Sequence, residues 1–256
     1  MDLSYQTASD RVQALRNIRG GRLTKWKGVV ASCAPTMGAV ALAISTLGFA
    51  GAANAANECG PNTAGPTVII CGSTNYAGSG SYPNYPTGIV YVNQDDLTLV
   101  LDDAAATLLG DGVGVDSTAM NTGDIVVVGE RFLSISTTAA NGRGVQASNF
   151  GTSGNADASM SETAGSVKTT GRNAYGILAE IGNPSNLAIV TATMDGGTIT
   201  TEGDQSTAVY AFSRGQGAVN ALISNGVVDT AGIFSNGIYA WIFNSGSLAD
   251  ATSTFI

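Results

Sequence analysis

Short alternating runs recur along the second half of the chain at a nearly constant interval. Gly165–Gly171, Gly197–Gly203 and Gly226–Gly232 each read Gly, any residue, Val or Ile, any residue, Thr, any residue, Gly, and their starts lie 32 and 29 residues apart. A second run follows each after a short turn: Ala174–Glu180, Thr207–Ser213 and Asn236–Ile242, with a further copy at Arg143–Asn149. A third column is read at Ala156, Ala188, Ala218 and Ala249. Alternation with period two over a few residues, bounded by Gly, Asn and Ser, is the pattern of short strands joined by turns. Three strands per repeat predict an all-β fold, a right-handed parallel β-helix with coils of about 30 residues, in which each strand pairs with its equivalents in the coils before and after it. A β-sandwich also needs many short strands, but it has no reason to repeat its sequence.

The repeat assigns faces. Val145, Ile177, Val209 and Ile238 are expected to form one inward stack, and Val167, Ile199 and Val228 another. The small residues Gly144, Gly176, Ala208 and Gly237 fall where the coil turns or where the outward face has to be small. Thr169, Thr201 and Thr230 are expected outside, as a polar ladder. Tyr175, Tyr210, Tyr239 and Trp241 recur in the second run. Alternation places some of these rings on either side of the wall, so an ordinary ladder of stacked rings is expected before a carbohydrate-contacting face. The upstream part repeats less clearly. Residues 56–130 read as an N-terminal cap and first irregular coils, including the Tyr/Pro/Gly-rich Tyr76–Pro86 and the outline Gly123–Gly129. Residues 131–256 read as the β-helix repeats. A cap is expected because an uncovered first strand offers an edge for aggregation.

Charge and composition divide the chain. Only 12% of residues are charged, against roughly 25% in ordinary soluble domains. Through Ala55 six basic residues face two acidic ones, and the remainder carries five basic against seventeen acidic residues. A basic head followed by the nearly uncharged Gly28–Phe49 and the small-residue exit Ala53-Asn54-Ala55 reads as an extended, helical signal peptide over residues 1–55, cleaved between Ala55 and Ala56. An uncleaved membrane anchor is the competing reading, since about 20 apolar residues suffice to span a bilayer. The export machinery is thus the first expected partner. The acidic remainder lacks the clustered cations that nucleic acid binding requires.

Cys33 lies in the leader, leaving Cys59 and Cys71 as an even pair closing a short Gly/Pro-containing loop. In an oxidising compartment such a pair reads as a disulfide, with two free thiols or a metal pair as the alternatives, the latter disfavoured by the lack of histidine and of a third cysteine outside the leader.

Several features together resemble the passenger region of proteobacterial autotransporters, the type V secretion family. They are the extended leader, the cysteine loop opening at Asn57-Glu-Cys-Gly-Pro61, the segment Gly88-Ile-Val-Tyr91, the run Asp95-Asp-Leu-Thr-Leu-Val-Leu101, and coils such as Thr169-x-Gly171-x-x-Ala174-x-Gly176-Ile177-x-Ala179. The resemblance implies secretion through an outer-membrane β-barrel carried by full-length relatives. It further implies display of the β-helix at a Gram-negative cell surface, or its release outside, as a structural or adhesive module. Expected partners there are host or surface glycans or proteins.

No histidine occurs in the chain, which excludes Ser-His-Asp and Cys-His catalysis and His-based metal sites. Carbohydrate-active enzymes also use β-helices, and the paired acids Asp95/Asp96 and Asp102/Asp103 are the candidates for glycoside hydrolysis. Neighbours on a strand point to opposite faces, so neither pair converges by itself. Gly110–Asp116 resembles a single imperfect copy of a calcium-binding nonapeptide, whose sites need tandem copies. No catalytic residue, cofactor or metal is therefore expected, and a carbohydrate-active β-helix enzyme fragment and an inert surface stalk are the two alternatives to an adhesive module.

Overall fold

The computed structural model describes residues 59–60, 67–72 and 83–256, and every regular element in them is a β-strand. The leader, with its cleavage residues Ala53, Ala55 and Ala56, and most of the Tyr76–Pro86 stretch lie outside the described residues. Among the described residues, nineteen strands, numbered in chain order, fall into three parallel sheets. The first sheet stacks β1 (Thr67–Cys71), β4 (Leu97–Asp102), β7 (Ile125–Arg131), β10 (Ala156–Met160), β13 (Val190–Met194), β16 (Val219–Ile223) and β19 (Ala251–Phe255). The second stacks β2 (Asn84–Tyr85), β5 (Thr107–Leu109), β8 (Ser134–Thr137), β11 (Ser166–Thr169), β14 (Thr198–Thr201) and β17 (Val227–Thr230). The third stacks β3 (Ile89–Gln94), β6 (Val113–Ser117), β9 (Arg143–Asn149), β12 (Tyr175–Ile181), β15 (Thr207–Ser213) and β18 (Asn236–Ile242). Each strand pairs with those three before and three after it, so the chain is a β-solenoid of about six turns with a repeat of about 31 residues.

The core is a set of columns running along the solenoid. Val145, Ile177, Val209 and Ile238 are in register and extend an inward stack begun by Ile89 and Val113. In the second sheet Tyr85, Leu108, Ile135, Val167, Ile199 and Val228 do the same. In the first sheet Leu99, Val127, Ala158, Ala192 and Ala221 form a column that narrows along the chain. All of these except the last-coil Val228 and Ile238 are buried, and their removal from water drives the coils to stack.

Three expectations about faces need correction. Thr169 and Thr201 are fully buried, as is Thr137 below them, and Thr230 is partly buried. They form an inward column, because Thr169 lies two residues after inward Val167 and a strand repeats its faces every two residues. The third-column alignment also shifts: Ala156 pairs with Val190, Val190 with Val219 and Val219 with Ala251. The extra residues lie in the turn after β12, where the buried Asn186 donates Nδ2 to the carbonyls of Gly151 (3.3 Å) and Gly154 (3.2 Å). Finally, Tyr175 stands on the same outer face as Tyr210, with ring centroids 5.1 Å apart.

Gly176 explains that last placement. A Cβ there would meet Ile199 Cγ2 and, at 2.6 Å, the carbonyl oxygen of Ala208. Position 176 therefore sits in an inner corner against the second sheet, and Tyr175 before it is turned outward. The preceding turn, between the second and third sheets, repeats from coil to coil with a left-handed residue at Asn141, Asn173, Gln205 and Phe234 (φ 59, 53, 58 and 60°). Asparagine accepts this conformation more readily than most residues. The backbone NH of each of the first three reaches the turn of the next coil, at the carbonyls of Arg172, Asp204 and Ile233.

At the N-terminal end Cys59 and Cys71 are joined in a disulfide with Cα atoms 5.1 Å apart. The Tyr91 hydroxyl fastens the same loop: it accepts from the Cys59 NH at 3.3 Å and donates to the Gly60 carbonyl at 2.9 Å.

Candidate functional site: the outer face of the third sheet

Parallel registration turns single residues into continuous lines. On the outer face of the third sheet one line runs Asp116, Ser148, Glu180, Phe212, Trp241. Its neighbour runs Gly114, Gln146, Leu178, Tyr210, Tyr239. Both lines begin with small or polar residues in the early coils and end in aromatic ones.

The aromatic end is a connected set of rings. Tyr210 stacks on Tyr239 with centroids 5.6 Å apart and planes 8° from parallel. Phe212 lies 5.5 Å from Trp241, and Phe243 meets Trp241 edge-on at 5.4 Å. Across the strands Tyr210 and Phe212 are 5.9 Å apart, and Tyr239 and Trp241 6.2 Å. Pairs at these distances contribute about 0.5–1.5 kcal/mol each beyond the area they bury. The Arg214 guanidinium stands 6.0 Å over the Phe212 ring. Tyr239 and Trp241 are about 40% exposed and Phe243 61%. Burial raises the Tyr210 and Tyr175 hydroxyls above the ordinary phenol range, with Arg143 opposing this at Tyr175. Both phenols therefore remain protonated at neutral pH and able to donate a hydrogen bond.

At the polar end, Gln146 Nε2 donates to Asp116 Oδ1 at 2.8 Å and to Ser148 Oγ at 2.6 Å. Burial pushes the Asp116 carboxyl up to about 6; Arg143 pulls it down, Glu180 pushes it up, and the Ser148 and Gln146 hydrogen bonds pull it down. Gln146 Oε1 is buried without a partner.

The other acids singled out from the sequence serve turns and strand ends. Asp102 forms an ion pair with Arg131, which holds its carboxyl below the usual range. Asp103 Oδ1 accepts the Ala105 NH at 3.0 Å. Asp95 Oδ1 accepts the Thr118 hydroxyl at 2.6 Å, and Asp96 occupies a left-handed turn position (φ 50°). In Gly110–Asp116 the glycines at 110 and 112 turn the chain with φ of 73 and 71°, and the residues after them enter β6. Among the described residues no three His, Cys, Asp or Glu side chains come together as a metal-binding group.

Glu180, Phe212, Arg214 and Phe243 were not singled out from the sequence, nor was the Asp116–Gln146–Ser148 cluster. Writing the second run of each coil in register would have found the Glu180–Phe212–Trp241 line, because it needs only the 32- and 29-residue steps already read. Arg214 and Phe243 lie just beyond the run, where no repeat marks them. Along this face Asp116, Gln146, Ser148, Leu178 and Tyr210 are buried, and Tyr239, Trp241 and Phe243 are the rings open to solvent. No protein-family model, curated protein or solved structure matches the chain.

Proposed function

We propose that this chain is an exported adhesive module of the autotransporter-passenger kind, a non-enzymatic β-solenoid that makes contact through the outer face of its third sheet. The observation that carries the reading is the aromatic ladder across β12, β15 and β18, with Trp241 and Phe243 left open to solvent. The rings open to solvent, Tyr239, Trp241 and Phe243, lie side by side on and just after β18, and aromatic side chains of this kind suit a surface glycan or protein because they give large contact area at low conformational cost. Export is supported by the basic head, the apolar run and the Ala53-Asn54-Ala55 exit, and by the Cys59–Cys71 disulfide, a bond that persists in oxidising compartments.

The test is to express the full reading frame in a Gram-negative host, fractionate the cells, and determine the N-terminus and mass of what leaves the cytoplasm. A product beginning near Ala56, with Cys59 and Cys71 oxidised and able to coat cells, is the expected result. Full-length protein retained in the inner membrane would contradict export. Release of reducing sugars from a polysaccharide by the purified protein would favour a carbohydrate-active enzyme instead.

A further inference from the structure

The polar end of the third sheet's outer face lies on the rung where β6 meets β9. The repeat length changes there: Ile89 to Val113 is a step of 24 residues, and Val113 to Val145 one of 32. Asp116 on β6 is in register with Ser148 on β9 and Glu180 on β12, and Asp116, Gln146 and Ser148 are all buried. Gln146 spans the rung, with Nε2 2.8 Å from Asp116 Oδ1 and 2.6 Å from Ser148 Oγ, while its Oε1 is buried without a partner. A primary amide can serve either form of a carboxyl, presenting NH2 to the carboxylate and, turned over, its carbonyl to the protonated acid. Ser148 suits both orientations because a hydroxyl donates or accepts, and a separation of 2.6 Å fits an O–H donor well. Either way one end of the amide has no partner, a cost that water entering the rung would remove. Arg143 on β9 acts on Asp111 before β6, on Asp116 and on Tyr175 of β12, and Glu180 of β12 acts on Asp116 and Tyr175. With one guanidinium among three carboxyls, a proton on the buried Asp116 offsets the surplus of acid.

We propose that Asp116, Gln146 and Ser148 form a proton-operated switch that sets how tightly the first two coils are joined to the third. With its proton, Asp116 donates to the Gln146 carbonyl and the rung is closed. Loss of the proton to water turns the amide over and leaves a buried charge near Glu180. Water then enters to solvate that charge and the unpaired end of Gln146, and β6 loosens from β9. The folded acid titrates at about 6 against an ordinary value of 3.8, chiefly through burial. The stabilisation of the rung is therefore complete below about pH 4 and is lost as pH rises through about 6. The N-terminal end of the solenoid is thus tight in acid and yielding near neutrality, whatever the module binds.

Hydrogen exchange of the full chain at about pH 5 and about pH 7, each corrected for intrinsic exchange, tests the switch. Amides of β6 and β9 are expected to open about tenfold more often at the higher pH, the change that one carboxyl brings when opening returns it to its ordinary value, while β12 and β15 stay the same. Asp116→Asn keeps a neutral donor in place and should remove the dependence. Glu180→Gln takes away a charge that pushes the Asp116 carboxyl up and should move the midpoint to lower pH. The side-chain NH2 resonances of Gln146 should shift with the same midpoint as the exchange, which a merely structural glutamine would not do. Exchange in β6 and β9 that ignores pH overturns the proposal, as does a step that survives in Asp116→Asn or runs equally through β15. If Asp116→Asn does not fold, an unmoved midpoint in Glu180→Gln, or Gln146 resonances that stay still, overturns it alone.

Discussion

The first two coils and the later ones reach the same three-sheet architecture by different means. Around β3 and β4 the core is filled by large side chains, with Tyr91, Leu97, Leu99 and Leu101 all fully or almost fully buried, and the chain is closed by a disulfide. From β9 onward the equivalent positions are smaller: Tyr91 and Val115 give way to Ala147, Ala179 and Ala211. Buried polar side chains join them, among them Asn149, Asn186 and the Thr137–Thr169–Thr201 column. Spacing differs in parallel. Tyr85 to Leu108 is a step of 23 residues and Ile89 to Val113 one of 24, whereas Val167 to Ile199 and Ile177 to Val209 are both 32. Bulk and a covalent tie stabilise the irregular end, where no neighbour of equal sequence precedes it. Identity of one coil with the next stabilises the rest, because each rung satisfies the hydrogen bonds of its neighbours.

Breaking a repeating coil should have the largest effect. Ile177→Asp places an unpaired carboxylate in the column between Val145 and Val209, at a cost on the order of 5 kcal/mol or more. Hydrogen exchange should show protection lost from β9 to β18 while β1, β3 and β4 keep theirs; uniform loss would contradict coil-by-coil stability. Removing the covalent tie should act at the opposite end. Cys59→Ser with Cys71→Ser is expected to cost about 3 kcal/mol, read as early exchange in β1 with β12 and β15 unaffected.

Asp116 stands at the border between the two regions, and its titration is a milder probe. Its carboxyl titrates near 6 in the folded chain against an ordinary value of 3.8, burial being the main cause. Folding therefore favours the protonated acid. The stabilising contribution is complete below about pH 4 and is lost as pH rises through about 6, to a total on the order of 2–3 kcal/mol. Denaturant midpoints from pH 4 to 7 should fall with pH in the native chain and flatten in Asp116→Asn; parallel curves would show that another group carries the dependence. The smallest expected change is at Thr169. Its hydroxyl is buried without a partner, so Thr169→Val should leave stability unchanged or raise it by up to about 1 kcal/mol. A loss of similar size would mean that the hydroxyl is hydrogen-bonded in solution.

Much of this architecture was legible as repetition. Val145, Ile177 and Val209 announce an inward column because a solenoid must place like residues at like sites, and two of the three sheets could be written down in register. The first sheet was misregistered because alanines were aligned with alanines: Ala188 belongs to the lengthened turn held by Asn186, and Val190 takes its place in the strand. Thr169 was read as exposed on its polarity, although alternation from Val167 already placed it inside. Tyr175 was harder, since the corner at Gly176 interrupts alternation and is visible only when Ile199 is seen to occupy the space a side chain there would need. The candidate site was half legible: four rings were noted, but Glu180, Phe212 and Arg214 become part of it only through lateral register and a turn.

The central claim is parallel, in-register stacking of successive coils, and cysteine pairing across it is the most direct measurement. Ser166 and Thr198 are partners on β11 and β14, and neighbouring strands lie about 4.8 Å apart, within reach of a disulfide. In a Cys33→Ser background, Ser166→Cys with Thr198→Cys should oxidise readily to a peptide pair identified by mass, while Ser166→Cys with Glu202→Cys should not. Equal cross-linking of the two pairs, or none in the first with native circular dichroism, would contradict the solenoid.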